Sequence, residues 1–291
     1  MRPFDYFAPE TLDEAISILR RRGDGGRLLA GGTDLVVRMK EGGLRPPYVV
    51  SLRKLSELRG IEFSEAEGLR IGAMTDMATI ASSPIIRERF PILADGAALV
   101  GSVQTRNMAT VGGNLCNAAP SADMAPPLLA VDAVARIAGA QGWRDVPLQE
   151  FFLAPGETVL QNGDILVELR VPTPPRGSGG FYLRHTPRQE MDIAVVGVGA
   201  LVTLPNGDIE QARVALGAVA PVPMRAHQAE AVLAGKPVSD EVIARAAAIA
   251  SQEAQPISDV RGSAAFRREL VRVLTERSLR GAVERAGASA P

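Results

Sequence analysis

The architecture can be read outward from one stretch, Leu28-Leu29-Ala30-Gly31-Gly32-Thr33-Asp34-Leu35, in which an apolar run meets two glycines and then polar residues. The apolar run predicts a strand over residues 27–30, and residues 34–40 have the content of a short helix. After further glycines and prolines, a β-branched run predicts a second strand over residues 48–52. The stretch therefore predicts a β-α-β unit with the glycine pair at its first turn.

A second stretch, Ala109-Thr110-Val111-Gly112-Gly113-Asn114-Leu115, has the same character. Glycine tolerates a positive φ and close approach of a ligand, so consecutive amide groups can point into one concavity that binds phosphate oxygens. The helix after the first pair adds the positive end of its dipole. Two such loops suit a pyrophosphate, whereas either pair alone is also typical of a simple turn. No Gly-x-Gly-x-x-Gly motif follows a strand, which argues against a Rossmann site.

One proline- and glycine-rich segment divides the chain. Residues 172–180 read Pro-Thr-Pro-Pro-Arg-Gly-Ser-Gly-Gly, a composition typical of a domain boundary. The predicted domains are 1–175, with subdomains of about 1–55 and 56–175, and 176–291.

Both domains mix helical and strand patterns, so the predicted fold class is α+β. In the second domain, Pro205-Asn206-Gly207-Asp208 joins two β-branched runs and predicts a hairpin, and an alanine- and arginine-rich region predicts about three helices. The stretch 103–127 is rich in glycine, proline and asparagine and predicts a functional loop. The other predicted elements are helices at 12–22, 85–100, 226–233, 240–252 and 262–283 and strands at 69–73, 133–138, 165–171, 193–204 and 209–219.

The composition excludes several classes of protein. The 291 residues are 46% hydrophobic and 22% charged with a net charge of −1, which is typical of a globular protein and argues against nucleic-acid and membrane-surface binding. One cysteine and two histidines predict no disulfide, zinc site or iron–sulfur cluster in this chain. The first residues lack the apolar run of a signal peptide, and no run of 18 apolar residues follows. We therefore expect a cytoplasmic protein, unless a partner holds it at the inner face of the membrane.

The polar residues offer a binding site and no acid–base machinery. Asp123 has two interpretations, a helix cap or an acceptor for sugar-like hydroxyls. Cys116 is expected to be a small packing residue because no thiolate-stabilising neighbour is visible. His185 is expected to be a loop or surface residue, since no nucleophile–base pattern includes it.

Four motifs, which follow one another along the whole chain, are similar to those of a known family. They resemble the FAD-binding medium subunit of the molybdenum hydroxylases, the family of carbon monoxide dehydrogenase and xanthine dehydrogenase. The resemblance implies a two-subdomain FAD-binding domain of the vanillyl-alcohol-oxidase (PCMH) type, followed by a domain with an antiparallel sheet and a helix bundle. The motifs are Ala30-Gly31-Gly32-Thr33-Asp34-Leu35, Arg106-Asn107-Met108-Ala109-Thr110-Val111-Gly112-Gly113-Asn114-Leu115, Pro120-Ser121-Ala122-Asp123-Met124-Ala125-Pro126 and Met191-Asp192-Ile193-Ala194-Val195-Val196.

The resemblance also implies which residues contact FAD. The two glycine loops would grip the pyrophosphate, Asp123 would bond the ribityl hydroxyls, and Ile193 would face the flavin ring. FAD is expected to be non-covalent, and no residue of this chain is expected to be catalytic or to bind a metal. The implied cofactor-binding residues are Leu28, Ala30, Gly31, Gly32, Thr33, Asp34, Leu35, Thr110, Val111, Gly112, Gly113, Asn114, Asp123, Leu166, Arg184 and Ile193.

In such a family the subunit works in a complex. The resemblance implies a large molybdopterin subunit that hydroxylates substrate, a small subunit with two [2Fe–2S] clusters, and a dimer of such heterotrimers. Electrons would pass from the clusters through FAD to an acceptor such as NAD or a quinone. This role is consistent with the missing acid–base machinery.

Two other functions remain open from the sequence. A self-sufficient flavin enzyme of the cell-wall reductase or alcohol oxidase type would need its own proton donor and substrate pocket, for which Glu190 and Asp192 are available. A nucleotide-binding scaffold protein would bind no flavin. Purification distinguishes them, since a self-sufficient enzyme is stable and active alone.

Overall fold

A computed structural model describes residues 2–288. The first elements are β1 (Asp5–Phe7), α1 (Leu12–Arg22), β2 (Arg27–Leu29), α2 (Leu35–Lys40) and β3 (Tyr48–Ser51). The strands form a parallel sheet in the order β1-β3-β2, so the predicted β-α-β unit is confirmed. The turn between β2 and α2 carries the first glycine pair.

The predicted first helix is also confirmed. The Thr11 hydroxyl accepts a hydrogen bond from the Glu14 amide at 3.2 Å, and the Glu14 carboxylate accepts one from the Glu10 amide at 2.9 Å. Both bonds satisfy amides at the start of α1. Ala15, Ile18 and Leu19 are buried, and they pack in one cluster with β3.

A five-stranded antiparallel sheet forms the second unit. Its strand order is β4-β5-β10-β6-β7, and β8 and β9 form a separate ribbon. The elements are β4 (Ile61–Ser64), β5 (Gly68–Gly72), α3 (Met77–Ser82), α4 (Pro84–Arg89), α5 (Pro91–Leu99), α6 (Val103–Arg106), α7 (Val111–Cys116), α8 (Ala125–Ala130), β6 (Val134–Gly139), β7 (Gly142–Pro147), β8 (Phe152–Ala154), β9 (Glu157–Thr158) and β10 (Ile165–Val171).

The prediction of a loop over residues 103–127 is wrong. The segment holds three short helices, α6, α7 and α8. Side chains cap two of them, since Ser102 accepts a bond from the Thr105 amide and Thr110 accepts one from the Gly113 amide. The prolines of α8 lie in its first turn, where a missing N–H costs nothing. Caps and position therefore outweigh the low helix propensity of glycine and proline.

The C-terminal domain has the expected antiparallel sheet and three helices. The sheet order is β11-β12-β14-β15, and β13 pairs with β16. No helix within residues 2–288 is both long and apolar enough to span a membrane. The elements are β11 (Ser178–His185), β12 (Val196–Thr203), β13 (Asp208–Ile209), β14 (Gln211–Gly217), β15 (Met224–Arg225), α9 (His227–Leu233), β16 (Lys236–Pro237), α10 (Asp240–Glu253) and α11 (Ala264–Ala288).

The C-terminal sheet packs helices on both faces. Helix α11 lies on β11 and β12, and α8 of the first domain contacts β12 and β14. All eight residues of β12 are buried as a result. Tyr182 and Leu201 of this sheet share a core cluster with the first domain. The domains therefore meet through apolar packing, which holds their relative positions.

Candidate functional site

One cleft of about 800 Å³ brings the two glycine loops together. This volume lies within the range of sites for small molecules and cofactors. Its wall comes from the β2–α2 turn, the start of α7, the segment before α8 and the segment before β12. Eleven of the sixteen residues predicted to bind cofactor line it: Ala30, Gly31, Gly32, Thr33, Asp34, Leu35, Thr110, Gly113, Asn114, Asp123 and Ile193.

The first glycine loop has free amides. Gly32 has a φ of 75°, in the region that glycine tolerates best. No acceptor within residues 2–288 takes a hydrogen bond from the amides of Thr33 and Asp34. Asp34 stands at the N-terminus of α2 without forming a side-chain cap. These amides are therefore available to an anion in the cleft.

The second glycine loop differs from its sequence-based interpretation. The amide of Val111 donates to Thr75 O, that of Gly112 to Ala73 O at 2.8 Å, and that of Gly113 to the Thr110 hydroxyl at 3.1 Å. These amides serve the fold, so the loop does not offer the consecutive free donors expected from its glycines. It offers the cleft a glycine surface and the side chain of Asn114.

The glycines also allow each loop to pack closely against another chain segment. A Cβ atom on Gly31 would lie 1.8 Å from the carbonyl oxygen of Met108, just before the second loop. A Cβ on Gly112 would lie 2.7 Å from the Cβ of Ala73. Neither position has room for a side chain. The glycine pairs in the sequence therefore indicate close contacts between chain segments as well as backbone freedom.

Asn114 carries a polar atom that lacks a partner. Its side-chain Oδ1 is buried, and no group in the described part of the chain donates to it. Buried polar groups are almost always hydrogen-bonded, so an unpaired one requires an explanation. A ligand hydroxyl in the cleft would satisfy this acceptor. The residues present thus fit a ligand that carries both phosphate and hydroxyl groups.

Asp123 faces the cleft from a buried ion pair. Its carboxylate accepts hydrogen bonds from Arg184 at 2.5 Å and from the Tyr182 hydroxyl at 3.0 Å. Burial raises the pKa of Asp123 to about 6, and the charge of Arg184 opposes this rise. Helix α8 has Met124 as its cap residue and no side-chain cap bond. The interpretation of Asp123 as a helix cap is therefore wrong.

Asp123 should make the stability of the fold depend on pH. Its carboxyl has a pKa of 3.8 in an ordinary setting and about 6 when folded, so at intermediate pH only the unfolded chain ionises. This contribution to stability is complete below the lower value and is lost as the pH rises through about 6. Between about pH 4 and pH 7, the unfolding free energy of the wild type should fall relative to Asp123→Asn by on the order of 2–3 kcal/mol. If chemical denaturation shows that the unfolding free energies of the two proteins change with pH in parallel, the pKa of Asp123 is not raised.

Ile193 lies in a loop with an unusual backbone. The preceding Met191 has a φ of 53°, and the Asp192 carboxylate accepts bonds from the amides of Arg188 and Ile193 at 3.0 and 2.9 Å. These bonds hold the loop so that Ile193, with 48% of its surface exposed, faces the cleft. Asp192 thus has a structural role here.

Five predicted residues do not line the cleft. Leu28 and Leu166 pack in hydrophobic clusters of the first domain, and Val111 is fully buried. Gly112 packs against Ala73, and Arg184 stands behind Asp123 with a side chain 4% exposed. They support the wall rather than form its surface.

The cleft also includes residues that the sequence interpretation missed or placed elsewhere. Cys116 is exposed and lines the cleft, so its expected packing role is wrong. Arg27 and Arg38 add positive charge beside the first loop. Both lie within the predicted β-α-β unit, in its strand and its helix, and this position is the available sequence signal for them. His185 ends β11 and packs edge-on against Phe266.

Comparisons with known proteins place the chain in a family. Residues 2–174 match the FAD binding domain in molybdopterin dehydrogenase, and residues 181–282 match the CO dehydrogenase flavoprotein C-terminal domain. The chain is 35% identical over 283 residues to a putative xanthine dehydrogenase FAD-binding subunit of Escherichia coli (strain K12), with 97% of each covered. It is 33% identical to the carbon monoxide dehydrogenase medium chain of Hydrogenophaga pseudoflava, with 96% of each covered.

Solved structures agree. A chain of carbon monoxide dehydrogenase from Hydrogenophaga pseudoflava matches with a TM-score of 0.94 and 34% identity, covering 98% of this chain and 99% of that one. A chain of quinoline 2-oxidoreductase from Pseudomonas putida 86 matches with a TM-score of 0.91 and 31% identity, covering 98% of each. The protein therefore belongs to the family of FAD-binding subunits of the molybdenum-containing dehydrogenases.

Proposed function

We propose that this chain holds FAD non-covalently in the cleft and passes electrons between the iron–sulfur clusters of a small subunit and an external acceptor. The observation that carries the proposal is the convergence of both glycine loops, Asn114 and Asp123 on one cleft at the domain junction. When bound, FAD would supply the redox chemistry.

The pyrophosphate would lie at the first glycine loop. The amides of Thr33 and Asp34 would donate to its oxygens, and the guanidinium groups of Arg27 and Arg38 would offset its charge. Gly113 of the second loop lets the ligand approach the backbone, because it presents no side chain to the cleft. The first loop would thus contribute hydrogen-bond donors to the pyrophosphate, and the second loop would give it room to approach the backbone.

The polyhydroxyl part of the ligand would lie between Asn114 and Asp123. No group within residues 2–288 donates to Asn114 Oδ1, and the carboxylate of Asp123 has capacity for another donor beyond Arg184 and Tyr182. The ring would then reach Ile193, whose apolar surface covers a flat aromatic group. Arg184 serves by holding Asp123, and Leu28, Val111, Gly112 and Leu166 serve by supporting the wall.

The partners would be those of the family. We infer a large molybdopterin subunit, a small subunit with two [2Fe–2S] clusters, and assembly as a dimer of heterotrimers in the cytoplasm. Exposed apolar side chains of the C-terminal domain, Ile257, Val260 and Phe266, offer a surface for the small subunit. NAD or a quinone would accept the electrons.

Native purification tests this function. The material should show the absorption of oxidised flavin and of iron–sulfur clusters, and a denaturing gel should show one larger and one smaller additional chain. Denaturation should release FAD into solution, which distinguishes non-covalent from covalent binding. Crosslinking should join the small subunit to residues 173–291.

Other outcomes would contradict particular parts of the proposal. A yellow single chain that oxidises a substrate alone would favour the self-sufficient flavin enzyme. A colourless chain that does not take up FAD would exclude both flavin functions. A crosslinking map without contacts between the small subunit and the C-terminal domain would remove the proposed docking surface.

A further inference from the structure

Arg267 is a buried cation that the proposed cofactor site does not use. It lies on α11 with a side chain that is 4% exposed. Burial of a guanidinium is costly, and its Nε has no hydrogen-bond partner within residues 2–288. An apolar side chain of similar volume would fill the space without that cost. Packing alone therefore does not account for an arginine here.

The other donors of Arg267 connect three separate segments. Its Nη1 donates to the carbonyl oxygens of Val195 at 3.0 Å and Ala218 at 3.1 Å. Its Nη2 donates to the Asp259 carboxylate at 2.7 Å. The planar fork of arginine suits this geometry, because a single ammonium group presents its donors from one point.

Two of these segments lead to the flavin end of the cleft. Val195 directly follows Ile193 and Ala194, which line the cleft. Ala218 has a φ of 64°, a rare conformation for a residue with a side chain, and its amide donates to Pro120 O at 2.7 Å. Pro120 begins the segment that carries Asp123. One guanidinium thus holds the backbone behind both cleft walls.

The third segment is on the surface. Asp259 lies in an exposed loop, in which 99% of the surface of Val260 is accessible. Loss of the bond to Asp259 would leave both carbonyl bonds of Arg267 in place, and the loop would keep its backbone bonds between Asp259 and Gly262. The two functions of Arg267 can therefore be separated by substitution.

We propose that Arg267 is a positioning residue that fixes the spacing of the Ile193 wall and the Asp123 wall, and so sets how tightly the flavin ring is enclosed. This inference rests on the proposed function, in which the ring lies at Ile193. It assigns to α11, a helix outside the cleft, control over the environment of the cofactor.

The test uses the full-length chain loaded with FAD. In Arg267→Met, iodide should quench the flavin fluorescence at least about twofold more strongly, because the walls are no longer tied and the ring is more accessible. The dissociation constant for FAD should change by less than about tenfold, since the pyrophosphate loop belongs to other elements. The quenching in Arg267→Lys should lie between that of the wild type and that of Arg267→Met, because one ammonium group cannot reach every acceptor. The midpoint potential of the flavin should also differ from that of the wild type, by more in Arg267→Met than in Arg267→Lys.

Two controls define the outcome. Arg272→Met removes an arginine from the same helix whose ion-pair partners in the described part of the chain are Glu269 and Glu276, and it should match the wild type. Asp259→Asn should also match it, because the bonds to Val195 and Ala218 remain. The inference would be overturned if Arg267→Met and Arg267→Lys showed the same fluorescence quenching and the same flavin potential as Arg272→Met. If Arg267→Met does not fold, the comparison of Arg267→Lys with Arg272→Met alone tests the inference. A wild-type chain that binds no FAD would instead refute the proposed function.

Discussion

Gly31→Ala is expected to abolish retention of FAD. The new Cβ would lie 1.8 Å from the backbone oxygen of Met108, far closer than two non-bonded atoms can approach. The loop must move, and overpacking of this kind costs about 1–3 kcal/mol or more. Since the displaced atoms belong to the proposed pyrophosphate site, the dissociation constant for FAD should rise by about 100-fold or more. Equilibrium titration with FAD measures this change.

A matched glycine in the same unit serves as the control. At Gly43, an added Cβ would meet only the carbonyl oxygen of Arg38, at an ordinary 3.8 Å, so Gly43→Ala should bind FAD like the wild type. Gly112→Ala should resemble Gly31→Ala, because its Cβ would lie 2.7 Å from both the Cβ and the carbonyl oxygen of Ala73. Full FAD occupancy in both Gly31→Ala and Gly112→Ala would show that the loops do not form the site.

Asp123→Ala is expected to cause the largest loss of stability. It leaves the guanidinium of Arg184 buried without its carboxylate, and it also removes the acceptor of the Tyr182 hydroxyl. Removal of one partner from a buried ion pair costs about 3–5 kcal/mol, because arginine stays charged and cannot regain water. Chemical denaturation should show this decrease in the free energy of unfolding.

Two further variants separate charge from hydrogen bonding. Asp123→Asn retains an oxygen that accepts from Arg184, so its loss should be smaller, about 1–2 kcal/mol. Asp240→Ala breaks an ion pair with Arg280 in which the side chains are 83% and 51% exposed. An exposed pair of this kind contributes less than about 1 kcal/mol. Equal losses in Asp123→Ala and Asp240→Ala would mean that the Asp123–Arg184 pair is not effectively buried.

Much of the fold follows from local patterns in the sequence. The helix at 12–22 combines a capping residue with an apolar stripe, and the strand at 165–171 follows a clear turn, so both have the predicted bounds. The stretch 103–127 was predicted wrongly because its composition favours loops, whereas Thr110 and Ser102 cap short helices there. Each cap is a local bond between residues three apart, so it depends on the order of the residues, which composition does not contain.

The cleft was predictable in part. Its two glycine pairs can be recognised because they occur in similar sequence contexts. The sequence does not show which backbone amides donate hydrogen bonds within the fold. The amides of Thr33 and Asp34 make no hydrogen bond among the described residues, whereas the Gly112 amide donates to Ala73 on a distant segment. The role of Arg267 depends on three segments that meet only in the folded chain. No local pattern indicates it.

The central claim is that FAD lies in this cleft between the two glycine loops. A cryo-EM or crystal structure of the natively purified complex tests it most directly. We predict density for a pyrophosphate beside Thr33 and Asp34, with hydroxyl groups near Asn114 and Asp123 and a flavin ring against Ile193. A flavin bound elsewhere on the chain, or a cleft without FAD in a complex that retains its other cofactors, would contradict the account.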